Sequence, residues 1–162
     1  MTRQSTDRPV SDRPAGDATR SHIPGERPLD IRRIPVATIM NSPAIAVRAD
    51  APLDIALTTF AVHGVRHLVV VDDEGRCVGM LTDRVVTARW AMRPMTFART
   101  RVSQICDGPR PFAAPAATLA EVARVLRRCS TDAVVVIDGD GRPVGVVTTS
   151  DLVAVIAKPK LG

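Results

Sequence analysis

The residues Gly145-Val-Val-Thr148-Thr-Ser-Asp151 place a hydroxyl and a carboxylate three positions apart, behind a glycine and two apolar residues. A carboxylate in such a place can accept ligand hydroxyls through charge-assisted hydrogen bonds of about 1.5–3 kcal/mol each. The same letters also make a helix cap, with Thr148 accepting from the amide three residues on and Asp151 reaching back or favouring the helix dipole. Taken alone, Thr-x-x-Asp favours the cap. Arg66 and His67 form a basic pair that could hold phosphate, or are simply an exposed Arg beside a His at the start of a strand, and the two readings weigh equally. Catalysis has less support. His22 lies in a polar N-terminal stretch, His63 reads as helix surface, and neither His63 nor His67 has a Cys, Asp or Glu partner at motif spacing. Cys77, in a strand beside Gly79, reads as a core thiol. No enzyme is expected.

The elements that position these residues come in two copies. From residue 36 the sequence repeats at a constant offset of 66: Val36, Ile39, Pro43, Leu53, Val69, Asp72, Gly75, Gly79 and Thr82 recur as Val102, Ile105, Pro109, Leu119, Val135, Asp138, Gly141, Gly145 and Thr148. Leu53, Ala56, Leu57 and Phe60, like Leu119, Val122, Ala123 and Leu126, fall at i, i+3, i+4 and i+7, which predicts an amphipathic helix in each copy. The β-branched runs 67–71 and 133–137 read as strands covered on both faces, and Asp72–Gly75 and Asp138–Gly141 turn them into partner strands at 77–81 and 143–147. A second helix starts at Thr82 and at Thr148, the latter with a stripe of Leu152, Val155 and Ile156, while 44–48 and 110–114 read as short edge strands. The fold class is therefore α/β (α+β), two βαββα units. A unit of about 60 residues is marginal alone, so the two should share a core. The expected division is a disordered Arg- and Pro-rich tail over 1–34, units at 35–92 and 101–158, and a linker at 93–100.

Composition narrows the partners. Residues 1–34 carry seven Arg against five acids, 35–100 seven against six, and 101–162 eight basic residues against six, so the net +5 is spread without a basic run. With one Trp and no Tyr, stacking platforms for single strands are poorly served. Both features argue against nucleic acid. Cys77, Cys106 and Cys129 are odd in number and lack metal or redox spacing, so reduced core thiols are expected. Without a run of about 20 apolar residues or a signal-type apolar stretch, neither a membrane span nor export is expected, and the cytoplasm is.

The lead-in Val36-Ala-Thr-Ile-Met40, the hairpin Leu68-Val-Val-Val-Asp72 through Gly75 to Val78-Gly79, and the Thr-initiated helix resemble the cystathionine-β-synthase (CBS) domain, and the two copies together resemble a CBS pair, or Bateman module, over residues 36–157. The resemblance implies two units related by pseudo-two-fold symmetry, a free-standing regulatory module that forms homodimers and acts on a separate protein, and clefts that bind adenosyl ligands such as AMP, ADP, ATP or S-adenosylmethionine, with no obligatory cofactor and no metal. The family's ligand motif is matched by Gly145 through Asp151, which implies that Asp151 meets a ribose diol and that Thr148 and the helix start face a phosphate. By resemblance the other walls come from Met40, Ile45 and Ala46 and from Asp132 and Ala133. Ala133 stands where the family often has a basic residue, which disfavours multiply phosphorylated ligands. The first copy departs from the motif: Thr82 is kept, but Val85 replaces the acid, and Asp83 lies about 200° around the helix from it. One competent site per chain is expected, with Thr82, Arg66 and His67 as a possible second cleft. The rival expectation is a dimerisation or docking module that binds no small ligand.

Overall fold

The computed structural model describes residues 30–106 and 112–157. In the first unit β1 (Ala46–Arg48), α1 (Leu53–His63), β2 (His67–Val71), β3 (Cys77–Thr82) and α2 (Asp83–Met92) follow one another, and a short α3 (Pro94–Phe97) leads out. In the second, β4 (Phe112–Ala113), α4 (Leu119–Cys129), β5 (Ala133–Ile137), β6 (Pro143–Thr148) and α5 (Thr149–Ala157) repeat the pattern. Each sheet has its long central strand, β2 or β5, parallel to the edge strand and antiparallel to the hairpin partner. The predicted strand, helix, strand, strand, helix order is thus present twice. The edge strands are shorter than expected, and residues 110 and 111 of the second lie outside the described residues.

The duplicated turns show why their acids recur. Asp72 Oδ1 accepts from the Glu74 and Arg76 amides, and Asp138 Oδ1 accepts from the Asp140 and Arg142 amides. Gly75 and Gly141 follow at φ +79° and +77°, a conformation that a β-carbon would strain. The Arg76 amide, against a smaller desolvation effect, holds the Asp72 carboxyl below the usual carboxylate range, with the Arg76 guanidinium adding to it.

Val69, Met80, Ala133, Val135 and Val146 form a core between the two sheets, which accounts for apolar residues on both faces of β2 and β5. The other face of each sheet packs on helices. Leu53, Ala56 and Phe60 of α1 are buried over the first sheet, and Leu119, Val122 and Leu126 of α4 over the second. Leu57 and Ile156, expected on inward stripes, are exposed instead, because α1 and α5 are apolar on more of their circumference than one sheet can cover. Cys129 is likewise exposed at the end of α4, whereas Cys77 and Cys106 are half-buried; none of the three is in a disulfide.

The lead-ins are exchanged between the units, which the repeat did not reveal. Residues 30–34, expected in the tail, make a 3-10 turn at Ile31–Arg33, and Ile34 and Val36 are buried in the second unit's core. The Val36 amide donates to Ala117 O, the Leu119 amide to Ile34 O, and Asn41 and Val146 exchange backbone hydrogen bonds in both directions. Reciprocally, Val102 is buried in the first unit's core, and its amide donates to Ala51 O while the Ser103 amide donates to Ala49 O. The predicted linker 93–100 is not a free connector: Phe97 and Thr100 are buried, and Thr100 O accepts from the Leu53 amide. Residues 1–29 of the expected tail lie outside the described residues.

Candidate functional site

A cleft of about 280 Å³ opens where the first unit's lead-in crosses the end of the second unit's hairpin. Pro43, Ala44 and Ile45 give it one apolar wall and Val65 and Val146 another, while Asn41, Thr148, Thr149 and Ser150 supply polar groups at its inner end. Arg66, His67 and Asp132 line it where the starts of β2 and β5 approach each other.

Thr148 ends β6 and Asp151 stands in the first turn of α5. The Thr148 amide and hydroxyl each donate to Asp151 Oδ2 at 2.7 Å, and the Asp151 amide donates to Thr148 Oγ1 at 3.3 Å. The capping reading is therefore realised. A third donor, Asn41 Nδ2, reaches the same Oδ2 at 3.0 Å from a residue 110 positions away. All three bonds fall on one oxygen, and among the described residues nothing occupies Oδ1. The cap thus leaves half of the carboxylate free to accept hydroxyls.

Gly145 makes the crossing possible. A β-carbon there would lie 2.6 Å from Met40 Sδ and 3.1 Å from Asn41 O. Met40 consequently packs beneath the cleft instead of lining it. Ala46 pairs with Val69 in the sheet, and Ala133 is fully buried between the sheets, so neither lines the cleft either. Ile45, Asp132 and Thr148 line it, whereas Asp151 does not and stands directly behind Thr148, to which it is hydrogen-bonded.

Arg66 and His67 line this cleft, because Arg66 precedes β2 and His67 begins it, and the start of β2 faces that of β5. His67 Nε2 lies 3.1 Å from Asp132 Oδ1, the imidazole only 10% exposed and the carboxylate 64%. Partial burial pushes the Asp132 carboxyl up, but the His67 hydrogen bond and the His67 and Arg66 charges outweigh it and hold the group below its ordinary range. In the first unit Thr82 Oγ1 accepts from the Val85 amide, Val85 packs on the core, and Asp83 stands 3.8 Å from Arg66 Nε. The cleft equivalent by the offset of 66 draws on residues 107–111, outside the described residues.

Sequence reasoning missed Asn41, Pro43, Ala44, Val65, Val146, Thr149 and Ser150. No local signal marks Asn41, whose partners are a strand and a helix of the other copy, Val146 of β6 and Asp151 of α5. Among the described residues no group of three or more His, Cys, Asp and Glu could hold a metal ion, and no helix is long and apolar enough to cross a membrane. Burial pushes the Cys77 thiol up, away from a nucleophilic thiolate.

Two βαββα units with exchanged lead-ins and a cleft between them define a tandem α/β module. The CBS domain profile matches residues 31–88 and again 102–158, so the chain belongs to the CBS domain family, as a CBS pair. A CBS domain-containing protein of Dictyostelium discoideum is 25% identical over 135 residues, covering 78% of this chain and 93% of that one. A CBS domain pair crystallised in complex with 5′-methylthioadenosine and S-adenosyl-L-methionine superposes with a TM-score of 0.70 at 23% identity, covering 78% of this chain and 98% of the other. CBSX2, solved in complex with AMP, superposes with a TM-score of 0.65 at 21% identity over 76% and 96% of the two chains.

Proposed function

We propose that this CBS pair is a regulatory module that senses an adenosyl ligand in the cleft beside Thr148 and Asp151 and acts on a separate partner protein. The observation that carries this reading is the division of labour at Asp151, whose Oδ2 takes three donors while Oδ1 has no partner among the described residues, which suits it to accept from a ribose diol. The apolar walls from Pro43 to Ile45 and at Val146 suit a base. Related folds solved with methylthioadenosine, S-adenosylmethionine and AMP support the ligand class. The cleft is read as binding, not catalytic, and three cysteines outside any disulfide fit a cytoplasmic setting.

Thermal melting with AMP, ADP, ATP and S-adenosylmethionine tests this. A ligand at 100 times its dissociation constant stabilises by about 2.7 kcal/mol, roughly 8–10 °C for a domain of this size. Wild type should shift with at least one of them and Asp151→Ala should not. A wild type that shifts with none sinks the proposal.

A second reading has its own observation. Ile55, Leu57 and Val62 on α1, Val153 and Ile156 on α5, and Trp90, Met92 and Met95 near the end of α2 are exposed apolar residues, an arrangement suited to a homodimer or a docked partner. Sedimentation equilibrium without ligand would show a dimer that Val62→Glu weakens.

A further inference from the structure

Positions 66 and 132 are equivalents under the offset of 66, yet one is Arg and the other Asp, and both line the cleft with Thr148. We infer that this pair reads the tail of the ligand, and that the tail carries an ammonium and a carboxylate together, as an amino-acid group does, in place of a phosphate chain. The inference rests on the adenosyl reading above and narrows it.

Both side chains have capacity to spare. Arg66 is 75% exposed, and its closest acid, Asp83, is 3.8 Å from Nε, beyond hydrogen-bond reach. Its guanidinium therefore keeps its planar fork for a carboxylate. Asp132 offers His67 one oxygen, Oδ1, and among the described residues Oδ2 has no partner, so it can accept from an ammonium. His67, itself nearly buried, fixes the carboxylate that would do so. A chain of two or three phosphates fares worse here. It would bring several negative charges to a cleft in which the single Arg is balanced by the Asp132 carboxylate, and like charges at close range repel. An α-amino acid instead matches one charge of each sign, on two groups that line the same cleft.

Calorimetric titration of the full chain with S-adenosylhomocysteine, 5′-methylthioadenosine, AMP and ATP separates the possibilities. The first two share adenosine and a thioether and differ in the amino-acid tail. S-Adenosylhomocysteine should bind at least about tenfold more tightly than methylthioadenosine, tenfold being about 1.4 kcal/mol. That preference should collapse toward unity in Arg66→Gln and in Asp132→Asn, whose unliganded melting curves serve as the folding control. Equal binding of the two thioethers by wild type overturns the tail assignment and leaves the adenosyl site standing. Tighter binding of AMP or ATP than of S-adenosylhomocysteine overturns it in favour of phosphate. Binding of none of the four removes the adenosyl reading and this inference with it.

Discussion

Replacing Gly145 with alanine probes the crossing of the lead-in over β6. The new β-carbon would stand 2.6 Å from Met40 Sδ, 2.8 Å from Met40 Cγ and 3.1 Å from Asn41 O. Alanine in a strand gains about 0.5–1 kcal/mol over glycine through the unfolded chain. Overpacking costs about 1–3 kcal/mol. Thioether atoms at a flexible end can move, but the Asn41 carbonyl is tied to the Val146 amide at 3.0 Å and cannot give way without opening the bridge. The overpacking cost therefore wins, and Gly145→Ala should destabilise by about 0.5–2 kcal/mol. Met40→Ala alone should cost about 1–2 kcal/mol, the low end for a methionine that is only partly buried. The double variant should lose less than the sum by about 1 kcal/mol, because the added methyl occupies room that Met40 has left. Urea unfolding followed by far-ultraviolet circular dichroism gives all four free energies. Strict additivity would mean that residues 40 and 145 do not touch, and the exchanged lead-in would be wrong.

Other outcomes follow from the cleft and the turns. Asp151→Ala removes the cap on α5 and should lower stability by about 1 kcal/mol in the absence of any ligand, measured by the same denaturation. Asp72 has a depressed carboxyl, so its contribution is complete above about pH 5 and drains away as the pH falls through about 4 and below. Asp72→Asn should accordingly flatten the acid limb of the stability profile between about pH 5 and 3, and an unchanged limb would contradict the turn geometry. Calorimetry should return one adenosyl ligand per chain, since Val85 packs on the core where Asp151 stands in the second unit; two per chain would show that the first unit binds without an acid there.

Much of this was legible in the sequence because it is periodic or punctuated. The offset of 66, the Asp-to-Gly turns and the covered strands placed every strand and main helix, and Thr148 and Asp151 were visible as a pair. What was hidden depends on contacts between the copies. An exact repeat suggests that each lead-in serves its own unit, whereas Ile34 and Val36 are buried with Leu119 and Val147, and Val102 with Leu53 and Leu81. That exchange moved Asn41 onto Asp151 and took Met40 out of the cleft. Arg66 and His67 stand out in the sequence, but that they line the cleft with Thr148 is not legible there, since the offset does not say which residues meet at the axis that relates the copies. Leu57 and Ile156 show a different limit: periodicity marks the apolar positions of a helix, and the area of sheet available decides how many of them are covered.

The exchanged lead-ins also order the chain in time. During synthesis the first unit has every buried residue of its core once residue 106 has emerged, Val102 being the last to arrive. The second unit needs Ile34 and Val36, made long before, and must close a loop of about 85 residues to bring Ile34 to Leu119, an entropic cost that a prefolded first unit shortens. No cut between the copies leaves both cores whole, because severing 93–100 strands one lead-in on each side. The pair should therefore unfold in a single transition, and a ligand held between Asn41 and Thr148 would fasten the earliest part of the fold to the latest.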